Sequence, residues 1–179
     1  MHLIHILGAS GSGTTTLGQV VSDTWRYLHL DTDDYFWMPT EQPFTVKREA
    51  VQRQALLAEA LAKADKCVLT GSLCGWGDFL IPAFSLVIYL QTPTELRIRR
   101  LQEREAARFG DRILPGGDMY RNHLEFIAWA ETYDTAGVDS RSKALHEQWL
   151  RQLMCPVLVL DGTKNPAEHL EQIGQTLSV

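Results

Sequence analysis

The chain has 179 residues, of which 45% are hydrophobic and 22% are charged, and its formal net charge is -5. This length and composition predict a single globular domain spanning residues 1–179, and no apolar run is long enough to cross a bilayer. The acidic balance argues against a nucleic-acid partner, because binding a phosphate backbone needs a basic surface. Three cysteines without metal-ligand spacing and the lack of a signal-peptide pattern predict a cytoplasmic protein with reduced thiols.

A glycine-rich segment at residues 8–15 follows directly after the first predicted strand, residues 3–7. It matches the phosphate-binding pattern G-x-x-x-x-G-K-[ST], except that Thr14 stands in place of the lysine. Glycines let successive backbone N–H groups surround a phosphate, and the helix that follows directs its positive end to the same anion. We therefore predict a nucleotide site in which the Thr15 hydroxyl holds a magnesium ion. The predicted ligands are Gly8, Ser10, Gly11, Ser12, Gly13, Thr14, Thr15 and Thr16.

Two other interpretations of this segment remain open. The first is a glycine-rich turn that binds no ligand. The second is a dinucleotide-binding loop, because the glycines loosely imitate the G-x-G-x-x-G pattern and Asp31 lies about where a ribose-binding acid is expected. The register disfavours the second interpretation, since a pattern beginning at Gly11 needs glycine at position 16, where the chain has Thr16.

Three carboxylates, those of Asp31, Asp33 and Asp34, follow the second predicted strand, residues 27–30. At the end of a parallel strand they are expected near the glycine-rich segment, where crowded acids need a positive charge. Magnesium on nucleotide phosphates can supply that charge, and one carboxylate can accept a proton from an acceptor hydroxyl. Asp31 is the candidate metal ligand, Asp31 and Asp33 are the catalytic candidates, and Asp33 and Asp34 are candidates for acceptor binding. The alternative is that one or two of these acids cap the next helix.

The remaining candidates for acceptor binding are two tryptophans and a serine. Trp37 follows the acidic cluster, whereas Ser72 and Trp76 lie in a glycine-rich segment after the third predicted strand, residues 67–70. Glycines in that segment permit close approach of the backbone to a ligand. For both tryptophans, packing in the core is the alternative. Cys74 in the same segment is either a passive side chain or a reactive thiol.

Arginines form a stripe on the helix predicted at residues 93–108, after the fourth predicted strand at residues 86–90. A segment with three glycines follows, and we predict that residues 104–118 form a lid. Its arginines would close over the transferred phosphoryl group and replace the charge that the loop lacks. The alternative is a solvated helix face balanced by glutamates. The stripe consists of Arg97, Arg100, Arg104 and Arg108, within an arc of about 80°, and the lid arginines are Arg104, Arg108 and Arg112.

Strand-like runs recur along the chain, each separated from the next by enough residues for a helix. This alternation predicts an α/β fold, a parallel sheet with helices on both faces and ligands at the carboxyl ends of its strands. After the last predicted strand, residues 157–160, Gly162, Thr163 and Lys164 either cup a nucleotide base or form a connecting turn. Further helices are predicted at residues 15–26, 47–64, 118–136, 142–153 and 166–177.

The glycine-rich segment, the acids after the second strand, the arginine-rich helix with its lid and residues 161–163 together resemble the adenylate-kinase-like branch of P-loop kinases. This branch includes nucleoside monophosphate, shikimate and gluconate kinases, and the resemblance covers almost the whole chain. It implies a three-layer P-loop NTPase fold with a five-stranded parallel sheet in the order 2-3-1-4-5. It also implies ATP and Mg²⁺ as cofactors and phosphoryl transfer to a small acceptor, which is a nucleotide or a hydroxylated metabolite.

The same resemblance implies roles for individual residues. The lid arginines Arg104, Arg108 and Arg112 would bind phosphates. The acids Asp31 and Asp33 would bind metal or acceptor, and residues 162–164 would cup adenine. Where the family carries lysine, this chain has Thr14.

Two functions are compatible with these residues. One is a small-molecule or nucleotide kinase that relies on magnesium and arginine instead of lysine. The other is a non-catalytic nucleotide-binding or regulatory protein whose lid closure signals occupancy to a partner. The acids favour the kinase, because a passive anion-binding site gains nothing from nearby carboxylates.

Overall fold

The computed structural model describes residues 2–177. At its centre is a five-stranded parallel sheet in the order β2-β3-β1-β4-β5, which is the fold class and strand order that the sequence predicts. Each predicted strand lies within two residues of the observed one. The strands are β1 (His2–Gly8), β2 (Leu28–Asp31), β3 (Lys66–Thr70), β4 (Phe84–Gln91) and β5 (Val157–Asp161).

Seven α-helices accompany the strands in the described part of the chain. Four short 3-10 helices, Asp78–Ala83, Gly110–Ile113, Thr132–Asp134 and Pro166–His169, lie next to them. None of the helices between residues 2 and 177 combines the length and apolar character that crossing a membrane requires. The α-helices are α1 (Thr14–Trp25), α2 (Thr32–Phe36), α3 (Ala50–Leu61), α4 (Thr94–Phe109), α5 (Tyr120–Glu131), α6 (Lys143–Leu150) and α7 (Leu170–Leu177).

The observed helices differ from the predicted ones at several ends. Helix α5 ends at Glu131 rather than at residue 136, and α7 begins at Leu170 rather than at residue 166, because 3-10 helices adjoin both. The helix predicted at residues 47–64 begins only at Ala50, because the chain before it pairs with the chain after α2. Trp37 and Lys47 form an antiparallel bridge, and the Arg48 N–H donates to the Phe36 carbonyl at 2.8 Å. Such pairing holds residues in extended geometry and delays the helix. The short helix α2 was not predicted, although its acidic N-terminal residues were considered as caps.

Strand β1 is buried on both faces, which explains its nearly continuous apolar sequence. Leu3 and Leu7 pack in one apolar cluster, whereas Ile4 and Ile6 pack in a second cluster on the other face of the sheet. All four side chains are fully buried. This central strand ends at Gly8, so the glycine-rich loop begins directly after a strand that is buried on both faces.

Candidate functional site

The geometry of the glycine-rich loop requires its glycines. Gly11 and Gly13 have φ values of +79° and +100°, in the left-handed region that favours glycine. A Cβ atom at Gly8 would lie 2.6 Å from the main-chain carbonyl oxygen of Leu90, so no side chain fits there. Within residues 2–177, α1 begins without a side-chain cap, and the N–H groups of its first turn are therefore available to an anion. These features fit a bound phosphate.

The loop meets the acidic cluster through Thr15 and Asp31. The Thr15 Oγ1 atom donates to Asp31 Oδ2 at 2.9 Å. Asp31 also accepts the Asp33 N–H at 3.0 Å and thereby caps α2, as the capping alternative for this cluster foresaw. The Thr15 hydroxyl and the Asp31 carboxylate are hard oxygen donors of the kind that magnesium takes alongside phosphate oxygens and water. The residues at this strand end therefore fit a magnesium ion that arrives with a nucleotide.

A metal held by protein alone would need a larger donor set. Residues 2–177 contain no cluster of three or more His, Cys, Asp or Glu side chains that could hold a metal ion. The candidate magnesium site thus depends on Thr15, on Asp31 and on ligands that a nucleotide brings.

Asp33 is exposed at the start of α2, and the charges of two arginines act on it. Burial by the surrounding protein raises the pKa of Asp33, while the positive charges of Arg141 and Arg104 oppose that rise. A side-chain hydrogen bond with Trp37 acts in the same direction as the arginines. The neighbouring carboxyl of Asp34 also has a raised pKa, because of burial and of the negative charge of Asp31. This region thus combines a carboxylate with a raised pKa and the charges of two arginines.

The two tryptophan candidates differ in exposure. Trp76 is only 7% exposed, and its indole N–H donates to the Ser72 carbonyl at 3.0 Å. Trp37 is partly exposed and stacks edge-on against Phe36, with ring centroids 4.8 Å apart. Trp76 therefore packs in the core, which was the alternative considered for both residues. Trp37 is partly exposed and lies beside Asp33.

Ser72 is the end of a buried chain of hydrogen bonds. Its hydroxyl lies 3.2 Å from His146 Nε2, and His146 Nδ1 lies 2.8 Å from the Tyr133 hydroxyl. The Tyr133 hydroxyl in turn lies 3.0 Å from that of Tyr89 on β4. Burial, together with the positive charge of Arg141, lowers the pKa of His146 to about 3. His146 is therefore neutral and fixes the orientation of the Ser72 hydroxyl at the carboxyl end of β3.

Cys74 lies in the same segment but is not a reactive thiol. Burial raises the pKa of Cys74 to about 11, so the side chain remains protonated near neutral pH. Since the thiolate is the nucleophile, the passive interpretation of this cysteine applies.

The arginine stripe of α4 divides into residues with different contacts. Arg97 is fully buried and donates to the Thr92 and Ala130 carbonyls and to Asp134. Arg100 donates to the Gly162 carbonyl at 3.0 Å. Arg97 is thus a structural residue of the protein interior. The expectation that the whole stripe faces solvent or a ligand is wrong at this position.

The remaining arginines of the stripe and lid differ in their contacts. Burial lowers the pKa of Arg104, which lies 3.6 Å from Glu105 and whose charge also acts on Asp33. The Arg108 guanidinium stacks over the Phe44 ring at 5.2 Å. Arg112 pairs with Asp118 at 2.7 Å and donates to the Glu41 carbonyl. The latter two therefore contact the loop between α2 and α3 rather than the glycine-rich loop.

The turn after β5 packs directly against the glycine-rich loop. The Gly162 N–H donates to the Gln91 carbonyl at 2.7 Å, and a Cβ atom at Gly162 would lie 2.8 Å from the Ser12 carbonyl oxygen. The Thr163 N–H donates to the Asp161 carboxylate, and the Lys164 side chain is exposed. The turn is thus in a position to border a nucleotide in the loop.

Sequence reasoning missed one arginine of this site. Arg141 lies between α5 and α6, and its Nη2 atom donates to the Ser10 Oγ atom of the glycine-rich loop at 2.7 Å. Its guanidinium stacks over the Trp129 ring at 5.2 Å. The two partners are 131 positions apart in the chain, and no motif or periodic pattern connects them.

The sequence matches the family described as "AAA domain" over residues 4–112, and the chain belongs to this family of P-loop kinase-like proteins. It is 44% identical to "Uncharacterized protein YqaC" of Bacillus subtilis (strain 168), over 98% of this chain and 97% of that relative. It is 25% identical to "Shikimate kinase 2" of Serratia proteamaculans (strain 568), over 98% of this chain and 95% of that enzyme.

Among solved structures, the fold is similar to that of deoxyadenosine kinase from M. mycoides with bound dATP. The TM-score is 0.58 at 15% identity, and the match covers 99% of this chain and 100% of that chain. At this identity the likeness concerns the fold alone. Together with the family match, it confirms the resemblance to P-loop kinases and leaves the dinucleotide-binding alternative without support.

Proposed function

We propose that the protein is a kinase that transfers the terminal phosphoryl group of ATP to a hydroxyl group of a small acceptor. The observation that carries this proposal is the 2.9 Å hydrogen bond between Thr15 and Asp31, which joins the phosphate-binding loop to the acidic cluster. A site that only holds an anion has no use for carboxylates beside it, because like charges repel. Carboxylates at this place suit a metal-bound nucleotide and proton transfer from an acceptor.

In the proposed reaction, the oxygen of the acceptor hydroxyl attacks the γ-phosphorus, and the bond from that phosphorus to the bridging oxygen breaks as ADP leaves. Asp33 accepts the proton of the acceptor hydroxyl and later releases it to water. Its raised pKa brings it closer to neutral pH, which makes it a stronger base while it stays ionised. The charge of Arg104 acts on Asp33 and favours its ionised form. Thr15 and Asp31 would hold the magnesium ion that arrives with the nucleotide, and this ion would neutralise phosphate charge.

The proposal includes a lid within a single domain of residues 1–179. Residues 104–118 carry Arg108, which stacks over Phe44, and Arg112, which donates to the Glu41 carbonyl at 3.3 Å. These contacts hold the segment against the loop between α2 and α3. Opening and closing of these contacts would admit the acceptor and exclude water during transfer.

The decisive experiment measures ADP formation from ATP and Mg²⁺ by the purified protein in the presence of candidate acceptors. Shikimate and deoxyadenosine are tested first, because two similar proteins are named as kinases of these compounds. Pools of nucleosides, nucleoside monophosphates, sugars and hydroxy acids follow. We expect acceptor-dependent ADP formation that falls at least about 100-fold in Asp33→Asn. Thr15→Ala should also lower this activity, because it removes a candidate magnesium ligand. Its matched control is Thr24→Ala, which changes an exposed threonine near the end of α1 and should leave the activity unchanged. Tight ATP binding without turnover on any pool would contradict the proposal.

One observation favours a second function. Thr14 stands where the motif has the lysine that contacts the β- and γ-phosphates. If that lysine acts mainly in the transition state, its absence weakens catalysis more than nucleotide binding. A regulatory protein that binds a nucleotide without turnover is therefore the alternative. The same experiment separates the two functions, since only the kinase forms a phosphorylated acceptor.

A further inference from the structure

The glycine-rich loop has a charge deficit that another part of the chain can correct. Thr14 occupies the lysine position and carries no charge, although a nucleoside triphosphate places several negative charges in such a loop. We propose that Arg141 supplies the missing cation and contacts the terminal phosphates of a bound nucleoside triphosphate. This inference depends on the proposed nucleotide-binding function and assigns one residue of that site.

The contacts of Arg141 place its guanidinium at the loop and leave donors unused. Its Nη2 atom donates to Ser10 Oγ at 2.7 Å, and its guanidinium carbon lies over the Trp129 ring, 5.2 Å from the centroid. Its Nε atom is buried and has no hydrogen-bond partner among residues 2–177. A guanidinium carries five N–H donors in a rigid fork, which suits phosphate oxygens. An anion in the loop would use the donors that the protein leaves free.

The other arginines near the loop are already engaged. Arg97 is fully buried and bonded to carbonyls and to Asp134, whereas Arg100 donates to the carbonyls of Ser12 and Gly162. Arg104 forms an ion pair with Glu105. No carboxylate of residues 2–177 lies within 4.0 Å of the guanidinium of either Arg100 or Arg141. Within the described residues, Arg141 differs from Arg100 because it donates to a side-chain hydroxyl rather than to main-chain carbonyls and keeps a buried Nε atom without a partner.

The test compares nucleotide affinities by titration calorimetry on the full chain with Mg²⁺. Arg141→Gln should weaken ATP binding about 10- to 100-fold, the range expected when a charge-assisted hydrogen bond is lost, and should weaken ADP binding less. Introducing lysine at the position where the family has it should compensate, so Thr14→Lys combined with Arg141→Gln should regain most of the ATP affinity. Arg151→Gln, which removes an exposed arginine after α6, should change neither affinity.

The outcomes distinguish this inference from the proposed function. Wild-type protein that binds neither ATP nor ADP would overturn the proposed function itself. Wild-type protein that binds ATP while Arg141→Gln binds it equally well would overturn only the role of Arg141. Equal losses of ATP and ADP, without rescue by Thr14→Lys, would indicate that Arg141 merely supports the loop and would also overturn it. Arg141→Met keeps the length of the side chain over Trp129 and replaces the glutamine variant if that variant fails to fold.

Discussion

At the scale of single residues, Asp33 shows how its surroundings determine its chemistry. The carboxyl group stands at the start of α2, where burial raises its pKa and the charges of Arg141 and Arg104 limit the rise. Asp31, two residues earlier, is engaged with Thr15 and with the cap of α2. The two acids therefore have different surroundings: Asp31 contacts the glycine-rich loop, whereas Asp33 is exposed.

The pH dependence of the proposed kinase follows from Asp33. As a base it must be deprotonated, so kcat/KM should fall as the pH falls through the pKa of Asp33, which lies above the ordinary aspartate value. A pH profile with the identified acceptor should show this acid limb in the wild type and in Asp23→Asn, an exposed control on α1. Asp33→Asn should lower the rate and remove the limb. An unchanged acid limb in Asp33→Asn would show that another group is the base.

At the scale of elements, α4 demonstrates that a regular stripe need not have one role. Successive arginines on one face lie about 5 Å further along the helix axis, so each meets a different neighbour. Arg97 is enclosed by α5 and the turn before α4, Arg100 reaches the loop after β5, and Arg108 reaches the loop after α2. The helix thereby connects the core, the glycine-rich loop and the predicted lid.

The buried end of this stripe makes a stability prediction. Arg97→Leu removes hydrogen bonds to the Thr92 and Ala130 carbonyls and leaves Asp134 without its partner. The free energy of unfolding should fall by about 2 kcal/mol, mainly because two main-chain carbonyls lose hydrogen bonds from a buried guanidinium. Asp134 is 44% exposed, so water replaces much of its lost ion pair. Urea denaturation measures the change, and Arg99→Leu on the exposed face of α4 is the matched control. Equal stabilities of the two variants would contradict the structural role of Arg97.

At the scale of the whole molecule, two buried histidines lie on one side of the sheet. His5 on β1 lies against Phe84 and Trp149, and its Nδ1 atom lies 3.0 Å from the Leu69 carbonyl. Burial lowers the pKa of His5 to about 4 and, with the charge of Arg141, that of His146 to about 3. The folded protein therefore keeps both rings neutral well below the pH at which an unfolded chain protonates them.

This difference predicts a loss of stability in mild acid. Between the ordinary histidine pKa of 6.5 and the lowered values, only the unfolded chain gains protons, so the free energy of unfolding decreases as the pH falls. Each histidine contributes up to about 1.4 kcal/mol per pH unit in this range. Urea denaturation between pH 7 and pH 4.5 should give a shallower slope for His5→Gln and His146→Gln, whereas His2→Gln, at an exposed site, should match the wild type. Identical slopes in all variants would contradict this origin.

Local sequence patterns were enough to predict the strands of the sheet, the glycine-rich loop and the acidic cluster beside it. A strand buried on both faces is recognisable as a short apolar run, and the glycines of residues 8–15 are required by backbone geometry within a few residues. The five strands, their order through the family resemblance, and the proximity of the loop to Asp31 were accordingly predictable. The start of helix α3 was less predictable, because it depends on pairing between Trp37 and Lys47 across a loop.

The sequence by itself therefore determined the class of fold, the glycine-rich loop and the acidic strand end, because these depend on neighbours close in the chain. Only the tertiary structure decided which arginines lie beside the loop. Arg97 became part of the core and Arg141 came to lie beside Ser10, 131 positions away. Side-chain burial and charge compensation depend on what packs around a residue, and contacts over such separations leave no periodic signal in a single sequence.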